Sequence, residues 1–133
     1  MNFIDRYPLI VTPMKDSSRD FWTSYFDFQI IFDSSWFTLL ASQDGATSIA
    51  FMTPDHPSAP PGSETFNGIE LEVQDATATY NDLKTQGLDI TYPLTDEPYG
   101  QRRFGFSEPS GLWVDIVEQI EPAAGYWDKY MLP

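Results

Sequence analysis

A chain of 133 residues carries 20 acids against 7 bases, a formal net charge of −13, yet 41% of it is apolar and 16% aromatic. That composition suits one compact domain, or two small modules sharing one core. It argues against disorder, nucleic-acid binding and docking on an anionic membrane surface, which need fewer apolar residues or a basic footprint. There is no cysteine, which excludes disulfides and thiolate chemistry, and no apolar run long enough for a membrane span or signal peptide, so a cytoplasmic location is expected.

Tyr7 to Thr12 reads as a first strand, with Pro8 confining it to an edge or a strand start because proline has no N–H to give a ladder. Ser17 or Ser18 can cap a helix from about Arg19 to Tyr25, with Asp20 in its first turn. Phe21, Trp22, Tyr25 and Phe26 recur at helical spacing as a core face. Gln29 to Phe32, Trp36 to Ala41 and Thr47 to Met52 read as strands, with Gln43-Asp44-Gly45 as a turn. Thr53 to Ser63, with four prolines, is a loop.

The pattern then begins again. Ile69, Leu71 and Val73 alternate as a strand. Asp75 caps a helix from about Ala76 to Gln86, and Gly87 closes it. A strand near Leu88 to Tyr92 follows. Two Pro/Gly turns, Glu97-Pro98-Tyr99-Gly100 and Glu108-Pro109-Ser110-Gly111, then bracket a hairpin. On its second strand Leu112, Val114, Ile116 and Ile120 can face a core, while Trp113, Asp115 and Val117 face the other way. Each half thus reads strand, helix, three strands, a repeat of pattern at a spacing of roughly 60 residues. Tyr126, Trp127 and Tyr130 at helical spacing suggest a short C-terminal helix packing back on the body or on a partner.

The segments SSRDFWTSYFDF, GIELEVQDATATYNDLKTQGL and DEPYGQRRFGFSEPSGLWVDIVE resemble the vicinal oxygen chelate superfamily of glyoxalases, bleomycin-resistance proteins and ring-cleaving dioxygenases. The resemblance covers nearly the whole chain. It implies an α+β fold of two βαβββ modules forming a curled mixed sheet around a cleft. The first module would span about 1–55, a linker about 53–65, the second module about 66–120 and a tail 121–133. Catalytic members hold a divalent metal on four strands. Their positions match Tyr7 (or Arg6), a residue near Ser48, Gly68 and Asp115. Of these only Asp115 is a credible ligand, and such metals need three or four donors, so neither a metal nor another cofactor is expected.

Strand parity puts Gly68, Glu70 and Glu72 on the cleft side with Trp113 and Asp115. It puts Arg103 there too, because Phe104 and Phe106 look like core. The ligand-binding candidates are therefore Tyr7, Trp36, His56, Glu70, Arg103, Trp113 and Asp115. The bland alternatives are a solvated sheet face, a Glu70–Arg103 ion pair, and an exposed loop histidine at position 56. Aromatic walls with a few charges suit a small planar or cationic molecule. The first expectation is thus a metal-free, homodimeric binding protein that sequesters such a ligand. The alternatives are a lyase, isomerase or dioxygenase-like enzyme with an atypical metal or with Asp115 or Glu70 as acid–base catalyst, and an interaction module covered by a partner chain.

Overall fold

The computed structural model describes residues 2, 4–59, 68–131 and 133. The chain divides into two compact units, Met1–Asn67 with Glu108–Leu112, and Gly68–Ser107 with Trp113–Pro133. The first contains β1 (Leu9–Val11), α1 (Lys15–Tyr25), β2 (Gln29–Asp33), β3 (Phe37–Ala41) and β4 (Ser48–Met52). The second contains β5 (Gly68–Glu72), α2 (Ala76–Thr85), β6 (Tyr92–Glu97), β7 (Gln101–Ser107) and β8 (Trp113–Gln119). The two sheets are ordered β1-β4-β3-β2 and β5-β8-β7-β6. In each, the first strand lies parallel to the last and the other pairs are antiparallel. The fold is α+β, built on two unclosed four-stranded mixed sheets with the same connectivity. Part of the expected linker, residues 60–65, lies outside the described residues.

One face of each sheet is closed by its helix. In the first unit α1 packs on β3 and β4, and Ile10, Trp22, Leu40, Ile49 and Phe51 are buried there. In the second, α2 packs on β6, β7 and β8 over Leu83, Phe104, Phe106, Val114 and Ile116. Each such side chain contributes about 1.5–3 kcal/mol by leaving water. The helix ends use one device. Asp27 at φ +56° follows α1 and Gly87 at φ +90° follows α2, each turning the chain through the left-handed region.

Three elements differ from the sequence reading. Helix α1 starts four residues earlier than expected, at Lys15, with Met14 at its N-cap; Thr12 Oγ1 accepts from the Met14 N–H at 3.0 Å. The expected caps are helical instead, and Ser18 is fully buried with no hydrogen bond to its hydroxyl among the described residues. Strand β6 begins at Tyr92, the residue at which the expected strand ends, and runs on to Glu97. A register irregularity between Tyr92 and Thr95 breaks the alternation that would have marked it. The tail is a run of turns over residues 124–130 rather than a helix. It is held to the second unit by Trp127 Nε1, which donates to the Tyr99 carbonyl at 2.8 Å. The cap of α2 is as expected: Asp75 Oδ1 accepts from the Ala78 N–H at 2.9 Å.

Candidate functional site

The helix-free face of the second sheet gathers four of the seven candidate residues. Cross-strand register aligns Gly68 with Trp113, and Glu70 with Asp115, Gly105 and Tyr92. It aligns Val117 with Arg103 and Thr95. The parity reading is therefore correct on β5, β7 and β8.

Two glycines make room for the indole of Trp113. A Cβ on Gly105 would stand 2.3 Å from Trp113 Cζ2 and 3.0 Å from Asp115 Oδ1. One on Gly68 would stand 2.9 Å from the Trp113 carbonyl oxygen and 3.3 Å from its Cβ. The ring thus lies across a strip of bare backbone, half exposed, beside the Asp115 carboxylate. Only glycine permits so close an approach to a strand.

Arg103 is locked beside it. Its Nη1 donates to both oxygens of Asp115 at 3.1 Å, and its Nε donates to Glu97 Oε2 at 3.2 Å. The guanidinium carbon sits 4.3 Å from the centroid of the Tyr92 ring, in cation–π geometry. Glu97 also accepts from the hydroxyls of Tyr92 (3.2 Å) and Tyr99 (3.1 Å). Burial alone would lower the Arg103 pKa, but the Asp115 charge and the Glu97 hydrogen bond outweigh it and raise it. Burial likewise works to raise Glu97, and the bonds from Tyr99, Arg103 and Tyr92 reverse the sign and hold it below the usual carboxylate range. Tyr99 is raised, first by burial and then by its bond to Glu97. Glu70 is exposed, and its expected alternative partner, Arg103, is taken by Asp115 and Glu97.

The donor set does not fit a metal. Asp115 is engaged on both oxygens by a guanidinium, Gly68 offers no side chain, and no cluster of three or more His, Asp or Glu suited to a metal occurs among the described residues.

The first unit holds the other three candidates. His56 stacks flat on Trp36, ring centroids 3.7 Å apart and planes 4° apart, and its Nδ1 accepts from the Ser58 N–H. So His56 is a packed, half-buried residue rather than a free loop histidine. Tyr7 is exposed ahead of β1, and Ser48 begins β4. The helix-free face here is apolar: Leu9, Val11, Phe32, Phe37, Leu39 and Met52 share it by register.

The sequence reading missed two arrangements. Lys15 is 3% exposed, its ammonium donating to Asp16 (2.7 Å), Thr38 (3.1 Å) and Asp33 (3.5 Å). It borders a cavity of about 120 Å³ with Pro13, Met14, Asp16, Ser17, Ser35 and Thr53, too small for a drug-sized ligand. Glu108 is also buried. It accepts from Trp22 Nε1 at 3.2 Å and from the N–H and hydroxyl of Ser110.

Two unclosed mixed sheets of shared βαβββ connectivity, each closed on one face by a helix, define the class. The chain belongs to the Glyoxalase/Bleomycin resistance protein/Dioxygenase superfamily, whose model matches residues 4–116. Solved structures share the fold. A glyoxalase/bleomycin resistance protein/dioxygenase from Nocardioides is 17% identical, covering 90% of this chain and 87% of its own, with a TM-score of 0.69. TnmS3, an antibiotic binding protein from Streptomyces sp. CB03234, is 22% identical over 90% and 99%, with a TM-score of 0.67. Lactoylglutathione lyase from Agrobacterium tumefaciens is 13% identical over 89% and 96%, with a TM-score of 0.69. No curated protein matches the chain. No helix of the described residues is long and apolar enough to cross a membrane.

Proposed function

We propose that the protein is a metal-free small-molecule-binding member of the superfamily, sequestering a planar aromatic or cationic compound on the acidic, aromatic face of its second sheet. The observation that carries this reading is the Arg103–Asp115 pair beside the glycine-bedded Trp113. The one acid at a family metal position is committed to a guanidinium, and the neighbouring aromatic is laid open for stacking. A carboxylate bonded on both oxygens is poorly placed to act as ligand or general base, which weighs against the lyase and isomerase alternative. The fold is shared with an antibiotic-binding protein, which makes planar antibiotics the first compounds to try.

The same proposal includes a homodimer and cytoplasmic residence. Support for the dimer is β2, an edge strand whose Ile30, Ile31 and Phe32 are 51%, 53% and 54% exposed. Unpaired apolar edges invite a second chain. Light scattering after size exclusion tests the dimer, and cell fractionation tests the location. A thermal-shift and calorimetric screen of planar aromatic and basic antibiotics tests the function. A binder with about micromolar Kd or better is expected; an empty screen at protein concentrations where such binding shows would sink the reading.

A further inference from the structure

We infer that the turn between β7 and β8 is a clasp that makes helix α1 and the Trp113 platform one cooperative element, with Glu108 as the positioning residue that closes it. The inference holds whether or not the platform binds a small molecule, so it stands apart from the function proposed above.

Residues Glu108–Leu112 belong to the first compact unit, whereas the strands they join belong to the second. A hairpin turn ordinarily runs over the surface, where water satisfies its backbone. Here only Pro109 and Gly111 are exposed, and the two ends of the turn are buried, Glu108 at 3% and Leu112 at 2% exposure. The turn supplies its own partners. The Glu108 N–H donates to the Leu112 carbonyl at 2.9 Å, and the Gly111 N–H donates to the Glu108 carbonyl at 2.9 Å. The Glu108 carboxyl group accepts from the Ser110 N–H at 2.7 Å and from the Ser110 hydroxyl. It also accepts from Trp22 Nε1 at 3.2 Å, on a residue 86 positions away in the chain.

Trp22 is the helix end of the clasp. It is fully buried on α1, and its ring meets Phe28 at 5.0 Å and Phe51 at 6.4 Å between centroids. A ring packed on several sides holds its N–H in one direction. Burying an acid costs free energy, and its hydrogen bonds offset that cost. The turn therefore cannot slide past α1 without stripping Glu108 of a donor, so one position is selected. On the other side of the turn this fixes Trp113. That residue follows Leu112 directly and is aligned with Ser107 at the end of the β7–β8 ladder. Chain continuity thus carries the anchored ends of the turn into the strands that bed the indole on Gly105. Helix α2 is the control, because it packs on β6, β7 and β8 of the same sheet but is not part of the clasp.

The test is amide hydrogen exchange, read by NMR on the full-length wild type, Glu108→Gln and Trp22→Phe. Glu108→Gln keeps the side chain's size and replaces one acceptor oxygen with a donor. It is expected to speed exchange in α1 and in residues 113–116 by about tenfold, and in α2 by about twofold or less. Trp22→Phe removes the donor at the other end, and residues 113–116 should again exchange about tenfold faster. The Trp113 indole N–H cross-peak should shift in both variants. Unchanged exchange of α1 in Glu108→Gln, equal acceleration of α2, or a Trp113 cross-peak unmoved by Trp22→Phe overturns the clasp. Should either variant fail to fold by circular dichroism, exchange of the wild type in rising urea still decides. Helix α1 and residues 113–116 should then open at one common free energy and α2 at another; separate openings of α1 and residues 113–116, or α2 opening with them, overturns the assignment.

Discussion

The two units share strand order, helix placement and a helix C-terminus turned by a positive-φ residue, yet their helix-free sheet faces have opposite chemistry. On the first, Leu9, Val11, Phe37, Leu39 and Met52 present hydrocarbon, and none of its four strands contains glycine. On the second, Arg103, Asp115, Glu70, Glu97 and Trp113 present charge and one bedded aromatic, with glycines on β5 and β7 making the bed. The helix-covered faces, by contrast, are interchangeable in kind. Core packing fixes the repeat, and the helix-free face is where the two copies are free to differ.

The sharpest way to break this comparison is to give the second face a Cβ it cannot hold. Gly105→Ala should cost about 2–3 kcal/mol, because the methyl would overlap the Trp113 ring and the strand backbone cannot retreat. Urea unfolding measures the loss, and near-ultraviolet circular dichroism should report a displaced indole. Next comes the first unit's own charged cluster, which sits at the start of α1 and not on its sheet face. Lys15→Met should cost about 1–3 kcal/mol by removing a buried ammonium from Thr38 and Asp33, although Arg19 remains to hold Asp33 at 2.9 Å.

The helix ends give a smaller, opposed pair. A Cβ placed on Gly87 would meet nothing within 4 Å, so Gly87→Ala should lose only the conformational term, about 1 kcal/mol. Asp27→Gly should gain up to about 1 kcal/mol by relieving the same φ in the first unit. Equal signs in chemical denaturation would contradict the shared role of the two turns.

The pH profile gives a subtler difference. Glu97 lies below its ordinary 4.5 in the folded chain, so its contribution is complete above 4.5 and is lost as pH falls through the folded value. Tyr99 lies above its ordinary 10.0, so its contribution is complete below 10.0 and is lost as pH rises through the folded value. Stability from this network should therefore form a plateau between those limits. In melting curves from about pH 3 to about pH 11, Glu97→Gln should flatten the acid limb contributed by that group. An unchanged acid limb would show that the network is not coupled to folding.

Much of this was legible in the sequence, for identifiable reasons. Period-2 alternation from Leu112 to Val117 named both faces of β8, and the Asp75 cap with Gly87 bounded α2, because each is a local rule acting on adjacent residues. The Arg103 network was only half legible. Arg103 and Asp115 follow from parity, but Glu97 looked like a turn residue next to Pro98, and the irregularity after Tyr92 erased the alternation of β6. Lys15 was invisible for a different reason. Its burial depends on Thr38 and Asp33, residues 23 and 18 positions away, and no local pattern announces a lysine turned inward. The stacking of His56 on Trp36 likewise joins a loop to the residue just before β3 with no periodic signal.

The central claim is that the second unit's open face binds a planar ligand without a metal. Calorimetric titration of the tightest binder from the antibiotic screen, in excess EDTA, into the wild type and Trp113→Ala tests it directly. Binding unchanged by EDTA and weakened by about tenfold or more in the variant is the expected result; binding that vanishes with EDTA, or that is indifferent to Trp113, would contradict it.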